Sequence, residues 1–188
     1  MGLLIIGVLL WMVVHLMPAI APSLKENLIG SMGAKPYRGV FALLIFSSLA
    51  LIVFGWRSTP EELLYVLPAG TKTVAFLLIC IAFIVIGSAH HPSRIKRIVR
   101  HPMLTGVFIW AVAHLLVNGT TRALVLFGGL GIWALLEIVL INKRDGAYTK
   151  PDSPDFSEEL KGTFISAGIL LFILLLHPFF AGVTPFPR

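Results

Sequence analysis

The chain has little charge and almost no cysteine. Only 13% of its 188 residues are charged, and Cys80 is its single cysteine. One cysteine excludes an intramolecular disulfide, and its place inside an apolar run is typical of a small apolar filler. The spacing His-x3-His is absent, and the adjacent pair His90-His91 precedes Pro92. The sequence therefore offers no closely spaced zinc-ligand motif.

Apolar residues are abundant instead. Hydrophobic residues make up 57% of the chain, and the mean hydropathy is +0.91. The apolar runs cover residues 3–19, 39–56, 73–89, 103–117, 124–141 and 164–180. Most of them approach the roughly 20 residues that cross hydrocarbon as a helix, and the fourth is the shortest. The sequence predicts an all-α, polytopic transmembrane helix bundle with about six spans, forming a single domain over residues 1–188.

Lysine and arginine are unevenly distributed between the loops. The loops after spans one, three and five carry eleven of the 15 cations, and the other side carries four. By the positive-inside rule the eleven lie in the cytoplasm, so both termini face the outer side. We explain the net charge of +6 by this topology and expect no nucleic-acid partner. The cations of residues 94–100 have two interpretations, a topology anchor or a contact with anionic headgroups of membrane lipid.

Ionisable residues inside the spans are the candidate functional groups, since a central charge costs about 2.5–3.5 kcal/mol on insertion scales. Four lie within spans: His15, His114, Glu137 and His177. Three more histidines lie at the cytoplasmic boundary: His90, His91 and His101. Because His177 precedes Pro178, we expect it to end the last helix at the interface.

His15 and Glu137 are predicted at a similar depth, about 8 Å inside the cytoplasmic boundary. Two interpretations stay open. In the first, the Glu137 carboxylate bonds to one nitrogen of the His15 imidazole while the other nitrogen binds a metal. Alternatively, a plain hydrogen bond ties two helices together.

His114 is predicted to lie about 18 Å from the cytoplasmic boundary, with Trp110 on its inward face. Asn118 follows one turn later and is placed to orient His114 or to cap the helix. His101 lies about 140° away around the helix, so we interpret it as an anchor rather than a second ligand of the same pocket. Two isolated histidines on different apolar helices suit b-type haem, which needs one ligand on each face.

Four segments of the chain resemble the NnrU family of bacterial membrane proteins. They are Arg100-His101-Pro102, the ten residues 110–119 (WAVAHLLVNG), Trp11-Met12-Val13-Val14-His15 and Lys143-Arg144-Asp145. The family is named for genes associated with nitrite and nitric oxide reduction, and the plant 15-cis-zeta-carotene isomerase, a haem b enzyme, is related to it. The resemblance implies a multi-pass protein of the bacterial cytoplasmic membrane that is linked to denitrification.

Carried over from the isomerase, the two axial haem ligands fall on His15 and His114. Trp110, Asn118 and, beside His15, Glu137 then belong to the haem surroundings. The isomerase has a cysteine three residues before its second histidine, where this chain has Ala111, so its redox ligand switch is not expected here. Two alternatives remain: a haem-dependent cis-trans isomerase of a carotenoid or other apolar polyene, and a membrane accessory protein without chemistry of its own.

Overall fold

The computed structural model describes residues 1–68 and 70–183, apart from the side chain of Phe180. The helices are α1 Gly2–Ile20, α2 Pro22–Met32, α3 Ala34–Ser58, α4 Thr71–Ser88, α5 Pro102–Leu115, α6 Thr121–Asp145 and α7 Phe156–Ala181. A single 3-10 turn, Arg94–Arg97, lies between α4 and α5. Within the described residues no strand forms, and Leu63 and Thr120 make an isolated bridge.

The predicted helical membrane bundle is confirmed. The helices α1, α3, α4, α6 and α7 are long and apolar enough to cross a membrane. The fourth apolar run forms α5, which has only 14 residues and is about 21 Å long. α5 nevertheless connects the two ends of the bundle. The side of the membrane on which the termini lie stays a prediction.

Two proline positions differ from expectation. His177 was predicted to end the last helix. That prediction is wrong, because α7 continues through Pro178 to Ala181. Pro22 begins a further helix, α2, at a place where the sequence suggested a connecting loop. A proline lacks an N–H donor and fits the first turn of a helix, where that donor has no intrahelical partner.

Close helix packing rests on glycines. A side chain on Gly7 of α1 would place its Cβ 2.8 Å from the backbone nitrogen of Ile52 in α3. A Cβ on Gly106 of α5 would lie 2.8 Å from the carbonyl oxygen of Ala82 in α4. Small residues let helix backbones approach in a bilayer, where burial of apolar surface supplies no driving force. These positions hold α1 against α3 and α5 against α4.

The bundle has two ends. At the N-terminal end, the Trp56 Nε1–H donates to the carbonyl of Ala181, 3.4 Å away, and Leu63 pairs with Thr120. The opposite end, here called the charged end, consists of residues 21–38, 89–101 and 142–161 and carries the eleven cations assigned above to the cytoplasm. There Ser93 donates to Glu159 over 2.7 Å.

Candidate functional site

The sequence Trp-x-x-x-His occurs on two helices and takes the same geometry in both. In α1, His15 Nδ1 lies 2.9 Å from the carbonyl oxygen of Trp11. In α5, His114 Nδ1 lies 2.8 Å from the carbonyl oxygen of Trp110. A carbonyl only accepts, so each Nδ1 is the donor, and in a neutral imidazole Nε2 keeps its lone pair. Both histidines therefore present a nitrogen able to bind a metal.

Each histidine also lies in an aromatic cluster. Within a helix the four-residue spacing places the tryptophan beside the imidazole, with ring centroids 4.2 Å apart for Trp11–His15 and 4.5 Å for Trp110–His114. α6 adds one ring to each cluster: Trp133, 5.0 Å from His15, and Phe127, 4.4 Å from His114. We call Trp11, His15, Phe41 and Trp133 the His15 cluster. Trp110, His114 and Phe127 form the His114 cluster.

Phe127 lies in a π-helical turn, Leu124–Gly128, that interrupts α6. Such turns are rare and often occur at functional sites, because the extra residue re-aims the side chains around it. Phe127 is 5% exposed and stacks on His114 with an interplanar angle of 24°. Neither Phe127 nor Trp133 was predicted from the sequence. The only available signal was an aromatic residue facing inward on a span.

The two clusters lie at different levels of the bundle. Leu16, next to His15, packs in one buried group with Leu104. His114 lies ten residues further along α5 than Leu104, which is about 15 Å. Two imidazoles bound to one metal ion hold their nitrogens about 4 Å apart, since a metal–nitrogen bond is about 2 Å. The donor chemistry suits haem iron at either histidine, and ligation of one iron by both stays a prediction.

The surroundings of His15 contain polar atoms without partners. Two buried atoms here, Trp11 Nε1 and Tyr37 Oη, have no hydrogen-bond partner in the described structure. The Trp133 N–H is shielded from solvent, since Trp133 is 5% exposed, and it interacts with the Glu137 carboxylate. The described residues show no hydrogen bond between His15 and Glu137, and the Nδ1 of His15 donates to the Trp11 carbonyl instead. Buried polar atoms of this kind are normally paired, so these suit an additional polar group.

The backbone at the end of α5, beside His114, is bonded by neighbouring side chains, whereas Thr121 Oγ1 and Arg122 Nε at the start of α6 are buried without a hydrogen-bond partner in the described structure. Asn118 Nδ2 donates to the backbone carbonyl of His114 over 3.0 Å, so it caps α5. Tyr65 Oη donates to the carbonyl of Leu115 over 2.8 Å. The loop of Tyr65 passes so close to Gly119 that a Cβ there would collide with the Tyr65 carbonyl. The end of α5, and with it His114, is thus fixed by neighbouring segments.

Arg122 closes the N-terminal end beside the His114 cluster. Its guanidinium lies 4.4 Å from the centre of the Trp56 ring and donates to the carbonyls of Trp56 and Thr59 at 3.3 and 3.2 Å. It also pairs with Glu61. Trp56 in turn packs on Phe127, with ring centroids 5.8 Å apart. In the sequence Arg122 is distinguished only as one of the four cations on the side with fewer charges.

Three other histidines have separate partners. His101 immediately precedes Pro102, which begins α5, and its Nε2 lies 2.9 Å from Asn142 Oδ1 at the charged end. The Nδ1 atoms of His91 and His177 each lie 2.8 Å from a backbone carbonyl, of Pro92 and Val183 respectively. In the part of the chain that is described, no group of three or more His, Cys, Asp or Glu residues is placed to hold a metal ion.

The chain was compared with known proteins. The family model described as NnrU protein matches residues 3–185, nearly the whole sequence. No curated protein and no solved structure matches the chain. The extent of the family match, together with the membrane bundle, shows that the chain belongs to the NnrU family.

Proposed function

We propose that this protein binds b-type haem within its helix bundle, through His114, with His15 a second candidate ligand at another level of the bundle, and serves nitrite or nitric oxide reduction in the bacterial cytoplasmic membrane. The observation that carries the proposal is the repeated Trp-x-x-x-His unit, in which a backbone carbonyl holds each Nδ1. That bond leaves Nε2 as the metal-binding nitrogen and fixes the plane of the ring.

Bound haem supplies a redox-active iron whose potential depends on its axial ligands and on the polarity around it. The residues of this chain orient the imidazole rings and shield them from water. Trp110 and Phe127 enclose the His114 ring and keep water from it. The buried N–H group of Trp11 is available to a polar substituent near His15. Ala111 provides no thiolate, so both candidate ligands are imidazoles.

The first experiment is the absorption spectrum of the purified protein, oxidised and reduced, after expression with ample haem. We expect a Soret band that shifts on reduction. His114→Ala should remove or shift this band, whereas His101→Ala, on the same helix but bonded to Asn142 at the charged end, should leave it in place. A wild-type protein without a Soret band would refute haem binding.

The link to respiration needs a cellular test. A deletion strain growing on nitrite should recover nitric oxide and nitrite turnover with the wild-type gene and not with His114→Ala. Full recovery with a double variant of His15 and His114 would favour the accessory-protein alternative. The isomerase alternative is tested by adding a poly-cis carotenoid to the same membranes. We expect its absorption spectrum to remain unchanged, and a changed spectrum would favour the isomerase.

A further inference from the structure

We propose that the charged end binds the phosphate headgroup of an anionic phospholipid in a groove between α5 and the loops that precede it and follow α6. The groove has a volume of about 310 Å³. The residues that line it include Lys96, Arg100, His101, Met103, Leu104 and Tyr148. Its location is independent of both histidine clusters, so the inference does not rest on the proposed function.

The cations of the groove outnumber the carboxylates near it, although Asp145 interacts electrostatically with Arg100 and His101. Lys96 and Arg100 line it together with His101, and no carboxylate belongs to the lining. The ion pairs between described residues are Arg122–Glu61, Arg144–Asp145 and Lys161–Glu158, and none of them uses Lys96 or Arg100. The nearby carboxylate of Asp145 is engaged by Arg144 at 2.7 and 3.3 Å. A phosphate group would supply the missing negative charge.

The groove is held in shape by bonds between its walls. Arg100 Nη1 donates to the carbonyl of Gly146 over 2.5 Å, and its guanidinium lies 5.4 Å from the centre of the Tyr148 ring. Tyr148 Oη donates to the carbonyl of Lys96 over 2.6 Å. Gly146 adopts a φ of +67°, which favours glycine and lets the chain turn back toward Arg100. A cationic site fixed before binding loses less entropy when a ligand arrives.

The apolar part of the groove selects a lipid over a free phosphate. Met103 and Leu104 continue its lining along α5, toward the apolar part of the bundle. Ile98, between the cations Arg97 and Arg100, is 87% exposed. An exposed apolar side chain among cations is typical of a segment seated at the boundary between headgroups and acyl chains. The combination suits one molecule with an anionic head and an acyl tail.

The test uses the full-length protein in a zwitterionic detergent, titrated with dioctanoyl phosphatidylglycerol, dioctanoyl phosphatidylcholine or inorganic phosphate, with bound lipid counted by native mass spectrometry. We expect preferential binding of phosphatidylglycerol. Lys96→Ala should weaken it about five-fold, since one cation near an anionic lipid surface contributes on that scale, and Lys96→Arg should restore it. Arg38→Ala, an exposed cation at the same end but outside the groove lining, is the matched control.

Three outcomes would overturn the proposal. Equal affinity for the two lipids would show that charge does not select the ligand. Displacement of phosphatidylglycerol by millimolar inorganic phosphate would show that the acyl chain contributes nothing. An equal loss of binding in Lys96→Ala and Arg38→Ala would show a diffuse attraction to the charged end. Lys96 is partly exposed, and its side chain has no hydrogen-bond or ion-pair partner among the described residues, so the variant should fold, and its melting temperature checks this.

Discussion

The His15 and His114 clusters begin from the same local sequence and end in different surroundings. Both contain a histidine whose Nδ1 is held by the carbonyl four residues earlier. In the described structure Trp11 Nε1 and Tyr37 Oη are buried without partners around His15, and Thr121 Oγ1 and Arg122 Nε are so near the His114 cluster. The end of α5 beside His114 is nevertheless closed by Asn118 and Tyr65. The comparison shows that one helical motif prepares a metal-binding nitrogen twice, while tertiary packing decides how complete the pocket around it is.

The largest expected difference concerns haem retention. We expect His114→Ala to lower bound haem more than ten-fold, because its ring is enclosed by Trp110 and Phe127 and little else in that cluster can replace it. His15→Ala should keep part of the haem with a shifted spectrum. The measurement is haem content per protein together with the oxidised and reduced spectra. Equal and complete loss in both variants would instead show that the two imidazoles share one iron.

A second difference concerns stability. Asn118→Ala should lower the free energy of unfolding by about 1.5 kcal/mol, because the carbonyl of His114 loses its side-chain donor. Glu137→Gln should raise the free energy of unfolding of the haem-free protein, because the substitution removes an ionisable group inside the membrane while the amide oxygen can still accept from the Trp133 N–H beside it. Denaturant titrations in detergent measure both. A destabilising Glu137→Gln would show that the charged carboxylate gains more from its neighbours than its burial costs.

Much of the fold was accessible from the sequence, because apolar runs report burial in lipid directly. Each of the six predicted runs lies on a helix, and Pro102 begins α5. α2 was missed, because its residues are mixed in polarity and form no apolar run. The extension of α7 beyond His177 was also missed, because Pro178 does not prevent the residues after it from staying helical.

The candidate site was only partly accessible. Depth along the helices suggested a bond from Glu137 to His15, but the Trp11 carbonyl one turn earlier lies within reach of Nδ1 in any α-helix. A local partner of this kind competes effectively with a distant side chain. The rings from α6 were not predictable either, because the π turn that carries Phe127 depends on packing between helices rather than on periodicity.

A matched pair of tyrosines gives a finer comparison. Tyr65→Phe should lower the free energy of unfolding by about 1 kcal/mol, because the carbonyl of Leu115 loses its hydroxyl donor. Tyr37→Phe should leave the free energy of unfolding unchanged or slightly raise it, because its hydroxyl is buried without a partner in the described structure. Thermal unfolding of the haem-free proteins, followed by circular dichroism, provides the measurement. Equal losses would mean that the hydroxyl of Tyr37 is satisfied, as by a bound water.

The smallest effects are expected from the two tryptophans, which differ mainly in their N–H groups. Trp11→Phe and Trp110→Phe both keep an aromatic ring beside the imidazole, so the haem affinity of each should change by about two-fold or less, within the range of one aromatic contact. Both substitutions lose some packing, but Trp11→Phe also removes an N–H that is buried without a partner in the described structure, so the haem-free Trp11→Phe should be more stable than the haem-free Trp110→Phe. Haem binding could reverse the order of stability of the two variants. If Trp11→Phe is less stable than Trp110→Phe only in the haem-bound state, the Trp11 N–H gains its partner from the cofactor. Unfolding midpoints with and without haem separate these cases, because a ligand that bonds to this N–H stabilises the wild type and not the variant.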